Sequence, residues 1–294
     1  MSEREREALH LCEEGLQQLW KGEIDSAIEL YDRAAVFADA EETQELITIR
    51  KAEALIAGER DGAEITALPG IVMRRRSPRH VYLAANTLQR RYCESDDRKR
   101  AIFYGEIARG AANELGDPLS RASVLNSLGI TLVADSQFDN AVEVLNEALG
   151  AIAELNDNKE ETRWLRASAL GNVGGAEILR GRISEGILIL EEVLPEMGEQ
   201  YLIAEVCLDL CFAYLELEQY DRAEAFGRRG LALATIGRQT RNGNHLLGEI
   251  CLRTRRYAES DAYFDVVASY YPGFKNVKQL LTAVDLCGVV NWKA

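Results

Sequence analysis

The chain has 294 residues and a formal net charge of −14. That balance disfavours non-specific binding to nucleic acid or to an anionic membrane. No apolar run approaches the ~18 residues that a membrane helix needs, so neither partner is expected. Enzymatic chemistry is not expected either. The three histidines, His10, His80 and His245, are far apart, and there is no G-x-S-x-G, phosphate-binding loop or H-E-x-x-H. Cys12, Cys93, Cys207, Cys211, Cys251 and Cys287 are scattered as buried free thiols would be. Cys207 and Cys211 are one helical turn apart, but no second pair stands near them, so no metal site or cofactor is expected.

The elements read as helices throughout. Residues 3–20 form a first helix and 24–38 its partner, with Gly22 at the turn. The opening MSEREREALHLCEE is charged and lacks a secretory apolar core, which suggests a cytoplasmic protein. Leu9, Cys12, Leu16 and Leu19 line one wall of the first helix, with Trp20 beside them. Two readings stand for this wall: packing on the next hairpin, or a patch for a partner helix or a second copy of the chain. A second hairpin spans 42–68, its second helix short and stopped by Leu68-Pro69-Gly70. All five prolines, Pro69, Pro78, Pro118, Pro195 and Pro272, are expected in turns or at helix starts. Between Ile71 and Arg100 stand nine Lys/Arg against three Asp/Glu. Arg74, Arg75, Arg76 and Arg79 lead this stretch. It reads either as a solvated linker paired with the acidic remainder or as a docking patch for an acidic or phosphorylated partner.

Further hairpins follow at about 79–115, 118–155, 159–198, 203–236 and 240–271, with a cap at 274–287. Gly171, Gly174 and Gly175 thin the first helix of the fifth pair, which calls for close packing or ligand approach as compensation. Val277, Leu280, Leu281 and Val284 form the apolar stripe of the cap. The tail Gly288–Trp292 reads as folded back on it or as a docking peptide.

The stretch Leu125–Ala148 carries the clearest pattern. Leu125, Leu128, Gly129 and Leu132 share one helical stripe; Ala134-Asp135-Ser136-Gln137 is a polar turn; Phe138, Ala141, Leu145 and Ala148 share the next stripe. Small residues equivalent to Ala141 fall at Ala27, Ala63, Ala101, Gly186, Ala223 and Ser260. Leu-x2-Leu-Gly-x2-Leu followed by Ala-x3-Leu-x2-Ala resembles the tetratricopeptide repeat (TPR), with Leu125 where the family usually has Trp and Leu132 where it has Tyr. The uneven spacing is similar to the looser arrays of bacterial regulators, MalT-like ones included. The resemblance implies an all-α, right-handed superhelical solenoid of about seven hairpins with a C-terminal capping helix, formed as one domain over residues 1–294.

It also implies a non-enzymatic scaffold or adaptor that holds a protein or peptide along a concave face. First-helix asparagines suit that task, because an amide both donates to and accepts from a peptide backbone. Asn86 and Asn126 fall at one repeat position and Asn172 one residue later. Arg90, Ile130, Asp209, Phe212, His245 and Glu249 are placed on the same wall. The alternative is a peptide- or ligand-sensing array that acts on a partner such as a transcriptional regulator. Self-association through the N-terminal apolar face accompanies either reading.

Overall fold

The computed structural model describes residues 1–157 and 159–283. Among them are fifteen α-helices and one 3-10 turn, and no strand. The helices come in consecutive pairs: α1 (Glu3–Trp20) with α2 (Ile24–Phe37), α3 (Glu41–Ala57) with α4 (Ala63–Arg74), and α5 (Pro78–Glu94) with α6 (Arg98–Leu115). Then come α7 (Pro118–Ala134) and α8 (Phe138–Glu154), α9 (Glu160–Leu179) and α10 (Ile183–Val193), α11 (Gln200–Glu216) and α12 (Tyr220–Ala232), and α13 (Gly237–Arg253) and α14 (Tyr257–Ser269). A short α15 (Val277–Ala283) ends the described chain. Val284, Cys287 and the 288–292 tail, assigned to the cap and its return, lie outside the described residues. The helices group into two compact units, Met1–Thr131 and Leu132–Ala294, and the division falls inside α7.

One turn makes every pair. Its second residue after the first helix has a left-handed backbone: Gly22, Glu59, Asp96, Ser136, Gly181, Glu218 and Arg255 all have φ between 53° and 90°. The next residue's N–H then reaches back five positions to the helix. Glu23 bonds to the Gln18 carbonyl, Asp97 to Tyr92, Gln137 to Leu132 and Arg256 to Cys251, at 2.8–3.0 Å. These bonds satisfy carbonyls that the helix end would otherwise leave open.

Six of the second helices then bury a small residue at their fourth position: Ala27, Ala101, Ala141, Gly186, Ala223 and Ser260. A small side chain there lets the paired helix come close. The exception is α4, where Ala63 is the first residue and is exposed. The sequence pattern therefore misplaced this repeat's anchor. It also misplaced the helix end: α4 does not stop at Leu68-Pro69-Gly70 but carries Pro69 inside it and runs on to Arg74. Proline removes one backbone donor and crowds the preceding turn. Burial of Leu68, Ile71 and Val72 on one face offsets that loss and draws the helix past it.

Bulky residues fill the space the small ones leave. In the first unit Tyr31 is fully buried against Gly15, within a core of Ala8, Leu11, Ala34 and Ile47. In the second unit Leu190, Leu208, Leu210 and Tyr214 lie at the centre of one continuous core, and Phe264 packs into the notch at Gly248. The glycine-thinned α9 is explained in the same way: Gly174 lies against Leu190 and the backbone of Gly186.

Candidate partner-binding surfaces

In the first unit, the first helices of successive pairs meet along a polar seam. The Thr43 side chain and the N–H groups of Asp39 and Ala40 hold the Glu5 carboxylate below the usual glutamate pKa. Arg50 and Glu53 form a largely buried pair at 2.7 Å. Burial opposes the Arg50 charge, and Glu53 more than restores it, so its pKa is raised. Thr87 Oγ1 donates to Glu53 Oε1 at 3.2 Å, and Arg90 donates to the Glu53 carbonyl at 3.4 Å. Gln89 Nε2 donates to Thr131 Oγ1 at 3.3 Å, bringing α5 and α7 side by side. Along this contact Asn126 is buried, Asn86 is half-buried, and Arg90 and Ile130 are exposed.

Arg74, Arg75 and Arg76, at and just past the end of α4, are occupied by the chain's own carboxylates. Arg74 Nε donates to Glu45 Oε1 at 2.9 Å, Arg76 pairs with Glu41 and approaches Glu45, and Arg75 pairs with Glu114 at 2.9 Å. Glu45 is buried and also meets the buried His80 Nδ1 at 3.3 Å. Arg79 is exposed at the start of α5.

In the second unit the first helices α9, α11 and α13 carry the remaining candidates. Asn172 and His245 are half-buried, and the His245 ring lies 6.3 Å from that of Phe264. Asp209, Phe212 and Glu249 are buried. Phe212 belongs to the apolar core, and Asp209 and Glu249 belong to a polar seam the sequence did not single out. Glu205 Oε1 accepts from Arg238 and from Gln239, each at 2.8 Å, and Asp209 adds its negative charge beside Arg238. Arg253 Nε donates to Glu249 Oε1 at 2.9 Å. The signal was available: polar residues recur within the apolar stripes of first helices.

Among the described residues the thiols show no sign of activation. Burial pushes those of Cys12 and Cys207 up to about 11, and Cys93 and Cys251 are also raised. Among the described residues no group of three or more Cys, His, Asp or Glu side chains could hold a metal ion. No described helix is long and apolar enough to cross a membrane.

No family model and no curated protein matches the sequence. Solved structures do match. A tetratricopeptide repeat protein from Parabacteroides merdae superposes with a TM-score of 0.61 at 16% identity, over 94% of this chain and 98% of that one. A Rap protein complexed with competence and sporulation factor gives 0.72 at 13%, over 94% and 85%. NprR in complex with its cognate peptide NprX gives 0.69 at 14%, over 93% and 81%. At these identities the likeness is one of fold, and it shows helical repeats of the tetratricopeptide type.

Proposed function

We propose that the protein is a non-enzymatic scaffold that binds a protein or peptide on its first-helix surfaces. The observation that carries this reading is in the first unit. Two adjacent first helices, α5 and α7, are locked together by Gln89 and Thr131 and leave an amide, a guanidinium and an aliphatic group accessible: Asn86, Arg90 and Ile130. Rigid helices hold such a mixed surface in place before binding, which lowers the ordering cost. Asn172 and His245 offer a second polar surface on α9 and α13. Arg74, Arg75 and Arg76 would take an acidic group only by competing with Glu45, Glu114 and Glu41, and Arg79 stands exposed beside them.

The test is selection of peptides from a displayed library, followed by titration of a selected peptide against the full chain. Arg90→Glu with Ile130→Asp changes two exposed positions and should weaken binding at least ~10-fold, equivalent to ~1.4 kcal/mol. Unchanged affinity would remove this surface from the reading.

A sensing role is the second reading. Structures of similar fold hold a competence and sporulation factor or a cognate peptide. A sensor must differ in affinity between two shapes, so a bound peptide would shift the solution radius, whereas a plain scaffold would keep it. We place the protein in the cytoplasm on this reading, with all seven pairs acting as one array. Self-association through Trp20, which is 75% exposed, is tested by sedimentation of Trp20→Ser.

A further inference from the structure

A cavity of about 350 Å³ lies in the second unit between the end of α8 and the first half of α9. Leu149, Ile152 and Leu170 give it an apolar wall, and Arg163 and Arg166 reach it from α9. Successive helical residues turn by ~100°. Arg163, Arg166 and Leu170 therefore share one side of α9, and Asn172 stands on the opposite side. The cavity is separate from the surfaces proposed above.

Its charges do not cancel. The Asp157 carboxylate in the wall is already taken: Thr162 Oγ1 donates to it at 2.6 Å and Lys159 Nζ lies 3.1 Å away. Arg166 is paired with Glu196 at 3.2 Å. Arg163 has no ion pair among the described residues, although the chain has an excess of fourteen negative charges. An exposed guanidinium beside an apolar wall offers a fork for two carboxylate oxygens and a dry surface for a short hydrocarbon.

We propose that this cavity binds a carboxylate carried on a short aliphatic group. Arg163 takes the carboxylate, and Leu149, Ile152 and Leu170 take the chain. The same chemistry is presented by the C-terminal residue of a peptide and by a free branched acid.

Calorimetric titration with N-acetyl-leucine, its amide and isovalerate tests the site on the unaltered protein. For ligands of this size a Kd of ~1 mM is expected, with the amide at least ~10-fold weaker because it cannot accept the charged fork. Tighter binding of N-acetyl-leucine than of isovalerate assigns the site to a peptide terminus, and the reverse assigns it to a free acid. Arg163→Gln should abolish the preference for acid over amide. Ala153→Phe should block all three probes; Ala153 is exposed in the cavity wall, so the larger ring need not enter the core. Equal binding of acid and amide, no binding by any probe at tenfold the expected Kd, or unaltered binding by Arg163→Gln would each overturn the proposal.

Discussion

Gly174 and Gly186 meet backbone to backbone across α9 and α10. A Cβ on Gly186 would lie 2.6 Å from the Gly174 carbonyl oxygen and 2.5 Å from Ile178 Cγ1. Ile178 could turn aside, but the Gly174 carbonyl is main chain, so side-chain rotation alone does not relieve the clash. Gly186→Ala should cost ~1–3 kcal/mol. Gly110 and Gly150 are the control: both are exposed within helices, and a Cβ there meets nothing within 4 Å. Alanine at either should add ~0.5–1 kcal/mol by favouring the helix and narrowing the unfolded ensemble. Urea unfolding of the three variants gives the comparison, and a stable Gly186→Ala would contradict the packing described.

The recurring turn makes a second prediction. A left-handed backbone costs a residue with a Cβ ~1–2 kcal/mol, and glycine largely escapes that cost. Glu218 occupies this position at φ 57° and Gly181 at φ 90°. Glu218→Gly should raise stability by ~0.5 kcal/mol once glycine's larger unfolded entropy is counted, and Gly181→Ala should lower it by ~1 kcal/mol. Opposite signs in thermal midpoint are the result to look for.

How much of this was legible in the sequence follows from where each signal resides. The pairs were legible because a small residue recurs beside a turn, and both needs are local. Ala63 misled because α4 has no buried small residue at its fourth position; its packing starts at Leu68. Pro69 misled because tertiary burial of Ile71 and Val72 outweighs a local breaker. Asp209, Phe212 and Glu249 were identified as wall residues by spacing, but spacing does not tell which stripe of a first helix meets its neighbour. Arg163 escaped notice because its cavity is completed by α8, a helix from the preceding pair.

Glu5 sets a pH dependence. The Thr43 side chain lowers its pKa most, and the Asp39 and Ala40 N–H groups, which donate to its carboxylate at 3.0 and 3.2 Å, lower it further. A carboxyl whose folded pKa is depressed contributes stability above its unfolded value, and that contribution is lost as pH falls through the folded pKa. The native protein should therefore melt higher than Glu5→Gln at pH 7. The gap should narrow steadily below the ordinary glutamate range, around pH 4. A gap that stays constant down to pH 3 would show that the charged form is not what these donors favour.

Glu45 and Glu114 both pair with arginines at the end of α4 or just past it, yet the two contacts should differ widely in worth. Glu45 has a 6% exposed side chain, accepts from Arg74 at 2.9 Å and faces His80 at 3.3 Å and Arg76 at 3.6 Å. Removing it leaves the buried His80 ring without its carboxylate partner and unpairs the more exposed Arg74 and Arg76, so Glu45→Ala should cost ~1–3 kcal/mol. Glu114 is 52% exposed and its partner Arg75 66% exposed. Water replaces either group there, and Arg75→Ala should change stability by less than ~0.5 kcal/mol. Salt separates them too: raising ionic strength should screen the Arg75 pair and leave the Glu45 cluster largely intact. Urea midpoints of both variants at low and high salt check the contrast, and equal losses would show that burial does not set the worth of these pairs.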